Sequence, residues 1–574
     1  MSAKLKGKTN EERMKIENMA KRKLRSEIGK AYCLEKQGAI SLLRGCGYSY
    51  EDLKKPRVAI INTWSEMNPG HIHLRDLAAE VKKGIYDAGG MGYEFNCVSV
   101  CDCIADTRYV LPSRDLLVNE IELLVEGNKM DAMVLIGTCD KVVPGLVMAA
   151  GRLDLPSIVV TGGYMQTGTL NGENCDFIEI GITISKFNEG AVTEEELSEV
   201  IEHACPGPGA CGMMGTANTM SILTEMIGMS LPGNSTTAAV SPKLKQIAYE
   251  AGVRVMKLWE EGITARKIIT NQAITNAIKV CMAVGGSSNT IAHIPAIATE
   301  AELSVECAPV YAKASNEIPL LVGVRPNPPM HTMTQFDKAG GLGAIINELK
   351  NELYLDTMTV TGKTLRENMS SNPDMYEIRD PAVIHPFSKP LAKGGGLVLC
   401  KGNLVPEGAF VKRSAVPEGM VKFRGPAKVF NDTSTAIEAL KNGGICEGDV
   451  VVIRYQGVKA GPNSAYAFAT ALKGSHLKDR IAVITDGRTS GATAGACFQY
   501  ASPEAALGGP LCGVKDGDII TYDINKGELN IELNDEELKE RVKSADLVLE
   551  PKKGYLGIYQ KCVGSILKGA VLRG

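Results

Sequence analysis

Short apolar runs that alternate with amphipathic segments constrain the fold of this chain most strongly. The runs have the length of strands and occupy residues 57–62, 94–100, 132–136 and 157–161. Helical periodicity fills the segments between them, at residues 73–88 and from about residue 113 onward. This alternation predicts βαβ units and a parallel sheet. The following region is predicted to be mainly helical, with a capping box that begins at Thr193 and helices over residues 241–303.

The second part of the chain has a different pattern. Residues 370–390 contain four prolines and little periodicity, which indicates a domain boundary. Beyond it, short strands are predicted at residues 397–400, 409–412, 450–454, 519–524 and 529–533. A chain of 574 residues also exceeds the usual limit of a single core. We therefore expect an N-terminal parallel-sheet α/β domain over residues 1–375 and a C-terminal β-rich, barrel-like α+β domain over residues 391–574.

Composition excludes several classes of protein. The 63 basic and 66 acidic residues give a net charge of -3, so no global charge favours binding to nucleic acid. No tract of 18 apolar residues occurs, which predicts a soluble, cytoplasmic protein without membrane contact. Sixteen cysteines in so long a chain fit a reducing compartment, where thiols are free to bind metal. Ten basic residues among the first 30 are interpreted as a solvated helix, with an RNA-binding arm as the alternative.

The most specific motif follows directly after the apolar run 132–136. Gly137-Thr138-Cys139-Asp140-Lys141 places a thiol, a carboxylate and an amine in consecutive positions. Because the motif follows a predicted buried strand, its side chains belong at the ligand-binding edge of the sheet. Three ligand types at one strand end indicate a metal site.

Two further segments carry reactive side chains in tight turns. Glycines and prolines surround the thiols of Cys205 and Cys211 ahead of a helical stretch, and residues 485–491 place the hydroxyl of Ser490 between small residues. Together with residues 285–290 and 502–505, these segments resemble the iron-sulfur dehydratase family, which acts on dihydroxy acids and sugar acids. The resemblance extends from about residue 25 to residues 569–572 and is specific to the family. It also implies the two-domain fold given above.

The resemblance implies cofactors and a role for each matching residue. An iron-sulfur cluster, either 4Fe-4S or 2Fe-2S, would be held by Cys139 and Cys211. Mg²⁺ would be bound by Asp102, Asp140 and Lys141, with Lys141 carbamylated so that it offers an anionic oxygen to a hard cation. The competing structural interpretation is a packed thiol at each cysteine and a surface ion pair between Asp140 and Lys141.

The resemblance also implies the catalytic base and the substrate contacts. Ser490 would be the base, working as an alkoxide, and Gly491 and Ser502 would contact the substrate. An ordinary hydroxyl is far too weak a base, so neighbouring cations must lower its pKa. The implied reaction removes water from a 2,3-dihydroxy carboxylic acid: C2 loses a proton, C3 loses hydroxide, and the resulting enol becomes a 2-keto acid.

The chain departs from the family pattern at the cluster. Gly70 stands where many members have a third cluster cysteine. Cys97, Cys101 and Cys103 are near enough in sequence to offer a substitute thiol. On a straight strand, these three cysteines would share one face and Asp102 would take the other. Two further departures lie in the C-terminal part, where Tyr466 replaces the usual Mg²⁺-binding Glu and Tyr500 replaces the usual His.

Three other motifs have plainer explanations. Residues 207–212 match GxGxxG but follow a predicted helix rather than a strand, so they do not predict dinucleotide binding. Residues 361–364 resemble the end of a P-loop, but the glycine that should begin the loop is absent. His71 and His73 alternate like ligands on one face, although capping or packing explains them as well as metal binding does.

The residues and the resemblance together predict a hydro-lyase for a small hydroxy acid. Residues 359–365 and 401–404 favour an enzyme of branched-chain amino-acid synthesis. Residues 62–66 favour the alternative, a sugar-acid (aldonate) dehydratase. Because of Tyr466, a non-catalytic paralogue with a degraded Mg²⁺ site is a third possibility. We expect a homodimer or homotetramer.

Overall fold

A computed structural model of the chain describes residues 24–26, 34–188, 190–326, 328–394, 396–462, 464–489 and 495–572. The first part of the chain is built on a four-stranded parallel sheet with the strand order β2-β1-β3-β4. Its strands are β1 (Arg57–Asn62), β2 (Met91–Asn96), β3 (Ala132–Gly137) and β4 (Ser157–Thr161). All residues of β1, β3 and β4 are buried, as their uninterrupted apolar runs predict.

Helices follow the strands and continue beyond the sheet. Those of the sheet region are α1 (Leu34–Gly45), α2 (Leu74–Asp87), α3 (Thr107–Gly127) and α4 (Val142–Leu153). A short hairpin, β5 (Gly168–Leu170) and β6 (Glu173–Cys175), leads into α5 (Phe177–Asn188) and α6 (Glu194–His203). The predicted capping box is present at the start of α6, where Thr193 and Glu196 bond each other's backbone.

A mainly helical segment completes the first part, as its sequence predicts. It contains α7 (Thr216–Ile227), α8 (Pro242–Glu261), α9 (Ala265–Ile268), α10 (Asn271–Ala283), α11 (Thr290–Glu300), α12 (Cys307–Glu317), α13 (Met333–Lys338), α14 (Gly341–Glu348) and α15 (Leu365–Ser371). One apolar core joins these helices to the four-stranded sheet. Within the described ranges, no helix combines the length and apolar composition needed to cross a bilayer.

The second part is an eight-stranded sheet with the order β14-β13-β9-β10-β11-β12-β8-β7. Its strands are β7 (Leu397–Cys400), β8 (Gly408–Lys412), β9 (Lys422–Phe430), β10 (Val450–Ile453), β11 (Ala482–Thr485), β12 (Ala496–Ser502), β13 (Ile519–Asp523) and β14 (Glu528–Ile531). The four central strands are parallel and the outer pairs are antiparallel. Its helices are α16 (Thr433–Lys441), α17 (Tyr466–Gly474), α18 (Asp535–Lys543) and α19 (Gly554–Cys562).

The ends of this sheet meet. The backbone N–H of Lys401, directly after β7, donates to Gly527 at 2.8 Å, and Leu529 of β14 donates back to Lys401 at 2.9 Å. These bonds nearly close the sheet into a barrel, and a separate apolar core fills it. The expected fold class, a parallel α/β sheet followed by a barrel-like part, is confirmed.

Two local predictions were wrong. Strand β2 ends at Asn96, whereas the sequence suggested a strand as far as residue 100. Residues 101–105 instead form a turn, in which the N–H groups of Ile104 and Ala105 donate to the carbonyl of Cys101. Helix α3 begins at Thr107 rather than near residue 113, because Asp106 caps its first turn and Pro112 is tolerated inside it.

The two parts pack against each other at several points. The hydroxyl of Tyr500 donates to Asn289 at 2.7 Å, and Gln499 donates to Ser288 at the same distance. Near the C-terminus, the carbonyl of Gly569 accepts a hydrogen bond from the buried guanidinium of Arg114 at 2.7 Å. The carboxyl end of the four-stranded sheet therefore faces the barrel, and the candidate site lies between them.

Candidate active site

A pocket lies where the turn after β3 meets the barrel. The first part of the chain contributes all the predicted ligands: Cys139, Cys211, Asp102, Asp140 and, buried directly behind them, Lys141. The barrel contributes Ser464, Tyr466, Arg488 and Thr489. Side chains that are far apart in sequence thus meet as the resemblance implies.

The turn between β3 and α4 is held by side chains from the segment after β1. The backbone N–H of Cys139 donates to Nε2 of His71 at 3.0 Å, and Nδ1 of the same ring donates to the carbonyl of Thr63 at 2.6 Å. The thiol of Cys139 donates to Oδ1 of Asn68 at 3.2 Å. His71 is therefore a buried packing and hydrogen-bonding group, which agrees with the plainer of its two interpretations.

Gly70 lies beside the thiol of Cys139. A Cβ atom built on Gly70 would be 2.7 Å from Cys139 Sγ and 3.3 Å from Asn68 Oδ1. Position 70 is thus directed at the thiol of Cys139, but it brings no thiol of its own. His73 is also accounted for, because its Nε2 donates to the carbonyl of Gly162 at 2.7 Å.

Cys211 is presented by the Gly- and Pro-rich loop ahead of α7. The side-chain amide of Asn218 donates to the carbonyls of Cys211 and Met213, which fixes the loop against the helix. Gly209 has φ +126, and a Cβ there would be 2.4 Å from the backbone nitrogen of Met165. Only glycine fits this close approach. The loop follows helix α6, so the dinucleotide motif lacks the strand it requires.

The donor set fits an iron-sulfur cluster. Four thiols, those of Cys101, Cys103, Cys139 and Cys211, line the pocket, and all four are free of disulfides. Burial raises the pKa of Cys139 well above its usual range, and the charges of Cys101 and Cys211 raise it further. Such thiols stay protonated until a metal replaces the proton. Soft sulfur ligands gathered in one pocket are suited to iron-sulfur chemistry.

The carboxylates beside the thiols fit a hard cation. Nζ of Lys141 lies 2.8 Å from Oδ2 of Asp102 and 3.7 Å from Oδ2 of Asp140, and the lysine side chain is 1% exposed. Burial, together with the charge of Asp102, raises the pKa of Asp140, while Lys141 opposes that shift. The other oxygen of Asp102, Oδ1, is buried without a hydrogen-bond partner among the described residues. An unpaired buried carboxylate oxygen is costly, and a bound cation satisfies it.

The ligands are not preassembled around a single ion. Within the described ranges, no group of three or more His, Cys, Asp or Glu side chains is arranged to hold one metal. Lys141 occupies the centre of the carboxylate pair as an amine, so the oxygen donors of Asp102 and Asp140 converge on a lysine. The Mg²⁺ assignment therefore depends on conversion of this amine to a carbamate.

The predicted base and one substrate contact, Ser490 and Gly491, lie outside the described residues. The two residues that precede them, Arg488 and Thr489, line the pocket. Ser502 does not line it; its hydroxyl donates to Glu407 in a short hydrogen bond. These three assignments remain predictions.

The two tyrosines that differ from the family pattern, Tyr466 and Tyr500, lie in different surroundings. Tyr466 begins α17 and lines the pocket, and burial raises the pKa of its phenol to about 12, so the phenol is neutral at pH 7. A neutral phenol is a poor ligand for Mg²⁺. Tyr500 is fully buried behind the pocket, where its hydroxyl donates to Asn289.

Sequence reasoning missed several residues of the pocket. Nη1 of Arg488 lies 3.5 Å from Asp102 Oδ2, and its Nη2 donates to the carbonyl of Thr107 at 3.0 Å. Arg488 belongs to the motif that contains Ser490, but only the fold reveals its carboxylate partner. Phe177 and Met213 form an apolar wall of the pocket. No sequence signal separates these two from ordinary core residues.

Family comparisons agree with this geometry. Residues 55–368 match the family model described as "Dihydroxy-acid/6-phosphogluconate dehydratase N-terminal", and residues 382–570 match its C-terminal counterpart. The chain belongs to this dehydratase family and is a hydro-lyase.

The similar proteins also share a name. A dihydroxy-acid dehydratase of Caldicellulosiruptor saccharolyticus is 43% identical over 559 residues, which cover 96% of this chain and all of that protein. Dihydroxy-acid dehydratases of Methanococcoides burtonii and Methanothermobacter thermautotrophicus are each 42% identical, over 92% and 93% of this chain and 97% of each relative.

Proposed function

We propose that this enzyme dehydrates a 2,3-dihydroxy carboxylic acid whose C3 carries small alkyl groups, and so acts as a dihydroxy-acid dehydratase of branched-chain amino-acid synthesis. The observation that carries the proposal is an apolar wall, formed by Phe177, Met213 and the ring of Tyr466, in the pocket that the acidic ligands also line. The names of the full-length relatives support it independently.

The apolar wall continues into a second cavity. Phe177, Met213 and Tyr466 also line this cavity, and its other walls are mainly isoleucines of α5: Ile178, Ile180, Ile182 and Ile184. Thr470 and Lys473 are the polar side chains that line this cavity, so a sugar acid would find few partners here for its several hydroxyl groups, and each unpaired hydroxyl costs free energy. Alkyl groups gain free energy from the same contacts. The runner-up substrate, an aldonate, is therefore disfavoured.

Each cofactor has a proposed set of holders. Cys139 and Cys211 hold an iron-sulfur cluster, and Asp102, Asp140 and a carbamylated Lys141 hold Mg²⁺. When bound, these groups supply Lewis acids for the leaving hydroxyl and for the substrate carboxylate. The neutral Tyr466 does not bind Mg²⁺, and its ring forms part of the apolar wall.

The chain's own chemistry is the movement of one proton. Ser490 accepts the proton from C2 on its alkoxide oxygen, and Arg488, which lines the pocket two positions before it, is a cation suited to favour that anionic form. The C2–H electrons form the C2–C3 double bond, and hydroxide leaves C3 and takes up the proton that Ser490 accepted, which gives water and restores the alkoxide. The enol then tautomerises to the 2-keto acid. Gly491 and Ser502 remain the proposed substrate contacts.

We also propose a division into two domains, residues 1–375 and 391–574, and assembly as a homodimer or homotetramer in the cytoplasm. The division agrees with the separate matches to N-terminal and C-terminal family models. A reducing cytoplasm suits the free pocket thiols that the cluster requires.

The test is a substrate comparison on protein prepared without oxygen and loaded with iron, sulfide and Mg²⁺. The 2-keto acid is measured with 2,3-dihydroxy-3-methylbutanoate and with gluconate. We expect kcat/KM to favour the alkyl acid, and Phe177→Gln to reduce that preference at least about tenfold. Phe187→Gln is the matched control, since Phe187 lies on the same helix, is partly exposed and lines neither cavity. Faster turnover of gluconate would contradict the proposal.

A further inference from the structure

Two of the four pocket thiols have no role in the proposal above. Cys139 and Cys211 are assigned to the cluster, whereas Cys101 and Cys103 line the same pocket without an assignment. Both belong to the turn after β2, on either side of Asp102. Two thiolates alone leave a cluster weakly held, because iron-sulfur clusters are normally anchored by more cysteines than two.

The turn brings Cys101 and Cys103 to the pocket together. Had β2 continued as a strand, successive side chains would have pointed to opposite faces, so Asp102 and the two thiols would have been separated. The turn at residues 101–105 removes this alternation, and Cys101, Asp102 and Cys103 all line the pocket. Cys97, the third cysteine of this segment, is buried in the core instead.

We propose that Cys101 is the third protein ligand of the cluster and replaces the thiol that position 70 lacks. The inference rests on the proposed cluster at Cys139 and Cys211. It concerns only which residue of this chain completes the set of thiolates.

Three observations favour Cys101 over Cys103. A replacement for position 70 must lie near Cys139, because a Cβ on Gly70 would be 2.7 Å from Cys139 Sγ. Cys101 interacts electrostatically with both Cys139 and Cys211, so it lies near both assigned ligands. Cys103 lies near Cys211 and Tyr466.

The third observation is burial. Cys101 is partly buried, as Cys139 and Cys211 are, whereas Cys103 is exposed. The turn therefore holds Cys101 at a depth similar to that of the two assigned ligands.

The test compares single thiol-to-hydroxyl changes on protein that is reconstituted with iron and sulfide. Cys101→Ser is the test variant, and Cys103→Ser is its neighbour in the same turn. Cys205→Ser is the matched control, because Cys205 is exposed and does not line the pocket. The measurements are iron and sulfide per chain, the electron paramagnetic resonance spectrum of the reduced cluster, and the rate of iron loss to a chelator.

We expect Cys101→Ser to change the spectrum and to lose iron at least about tenfold faster than wild type, while Cys103→Ser and Cys205→Ser behave like wild type. Stable iron in the double variant Gly70→Cys, Cys101→Ser would support the proposal; it requires the Cys139 side chain to shift, because the new Cβ would otherwise lie 2.7 Å from its sulfur. This recovery also separates loss of a ligand from failure to fold.

The contrary results are distinct. Wild-type iron retention and spectrum in Cys101→Ser would overturn the proposal, as would loss of the cluster in Cys103→Ser alone. A wild-type protein that takes up no iron would instead refute the cluster in the proposed function.

Discussion

The backbone N–H of Cys139 donates to Nε2 of the buried His71 at 3.0 Å. This bond requires the neutral imidazole, since Nδ1 already donates its proton to the carbonyl of Thr63. Burial lowers the pKa of His71 to about 4, from the usual 6.5. The position of a proposed cluster ligand therefore depends on a histidine that must remain unprotonated.

The first prediction concerns pH. Between pH 6.5 and 4, the unfolded chain binds a proton at His71 that the folded protein does not. The contribution of His71 to the free energy of unfolding is therefore complete above pH 6.5. It decreases by up to about 3 kcal/mol as the pH drops toward 4. Urea unfolding at several pH values measures the free energy of unfolding. We expect this free energy to decrease more steeply with falling pH in wild type than in His71→Phe. Equal slopes in the two proteins would contradict the assignment, and His203→Phe, at a partly exposed histidine, is the control.

The second prediction concerns the base. Ser490→Ala removes the proposed proton acceptor, so turnover should fall about 10²- to 10⁴-fold, the range for loss of general acid–base catalysis. Iron content, the melting temperature and Mg²⁺ affinity should stay at wild-type values, because the hydroxyl is needed only for proton transfer. A variant that keeps a tenth or more of the wild-type turnover would show that another group is the base.

The third prediction concerns Lys141. An arginine keeps a cation between Asp102 and Asp140 but cannot be carbamylated, so Lys141→Arg should weaken Mg²⁺ binding at least about tenfold. Added bicarbonate should increase Mg²⁺ binding by wild type and leave the variant unchanged. Calorimetric titration with Mg²⁺ measures both effects, and Lys245→Arg, at an exposed lysine, is the matched control. Unchanged Mg²⁺ affinity in Lys141→Arg would rule out the carbamate.

The fourth prediction concerns Tyr466. A carboxylate at this position adds a hard anionic ligand, so Tyr466→Glu should tighten Mg²⁺ binding. The same change places a charge on the apolar wall, so KM for an alkyl acid should rise. Tyr466→Phe retains the wall and should alter neither quantity. Weaker Mg²⁺ binding in Tyr466→Glu would show that position 466 does not face the metal.

Sequence patterns predicted the layers of the fold well and its irregular segments poorly. The runs 57–62 and 157–161 coincide with β1 and β4, because strands buried on both faces are apolar throughout. Residues 97–100 were mistaken for the end of strand β2, since Val98 and Val100 are typical strand residues, but β2 ends at Asn96. Strand β9 was missed because Gly425 and Pro426 interrupt it.

The site was predictable to the extent that its residues lie in local motifs. Cys139, Asp140 and Lys141 follow one buried strand, and a strand end in a parallel sheet is where ligands gather. The contact of Arg488 with Asp102 joins residues 386 positions apart, which no local pattern reveals. The same holds for Phe177 and Met213, which line one pocket only because α5 and the loop after Cys211 meet.

The rate of 2-keto acid formation from 2,3-dihydroxy-3-methylbutanoate, followed as iron and sulfide are restored to the protein without oxygen, shows whether this protein is a cluster-dependent dehydratase. We expect the rate to rise from zero in proportion to bound iron in wild type, and to stay near zero in Cys139→Ser and Cys211→Ser. Fully loaded wild-type protein that forms no keto acid, or iron-free protein that forms it at the loaded rate, would show that the cluster does not catalyse this dehydration.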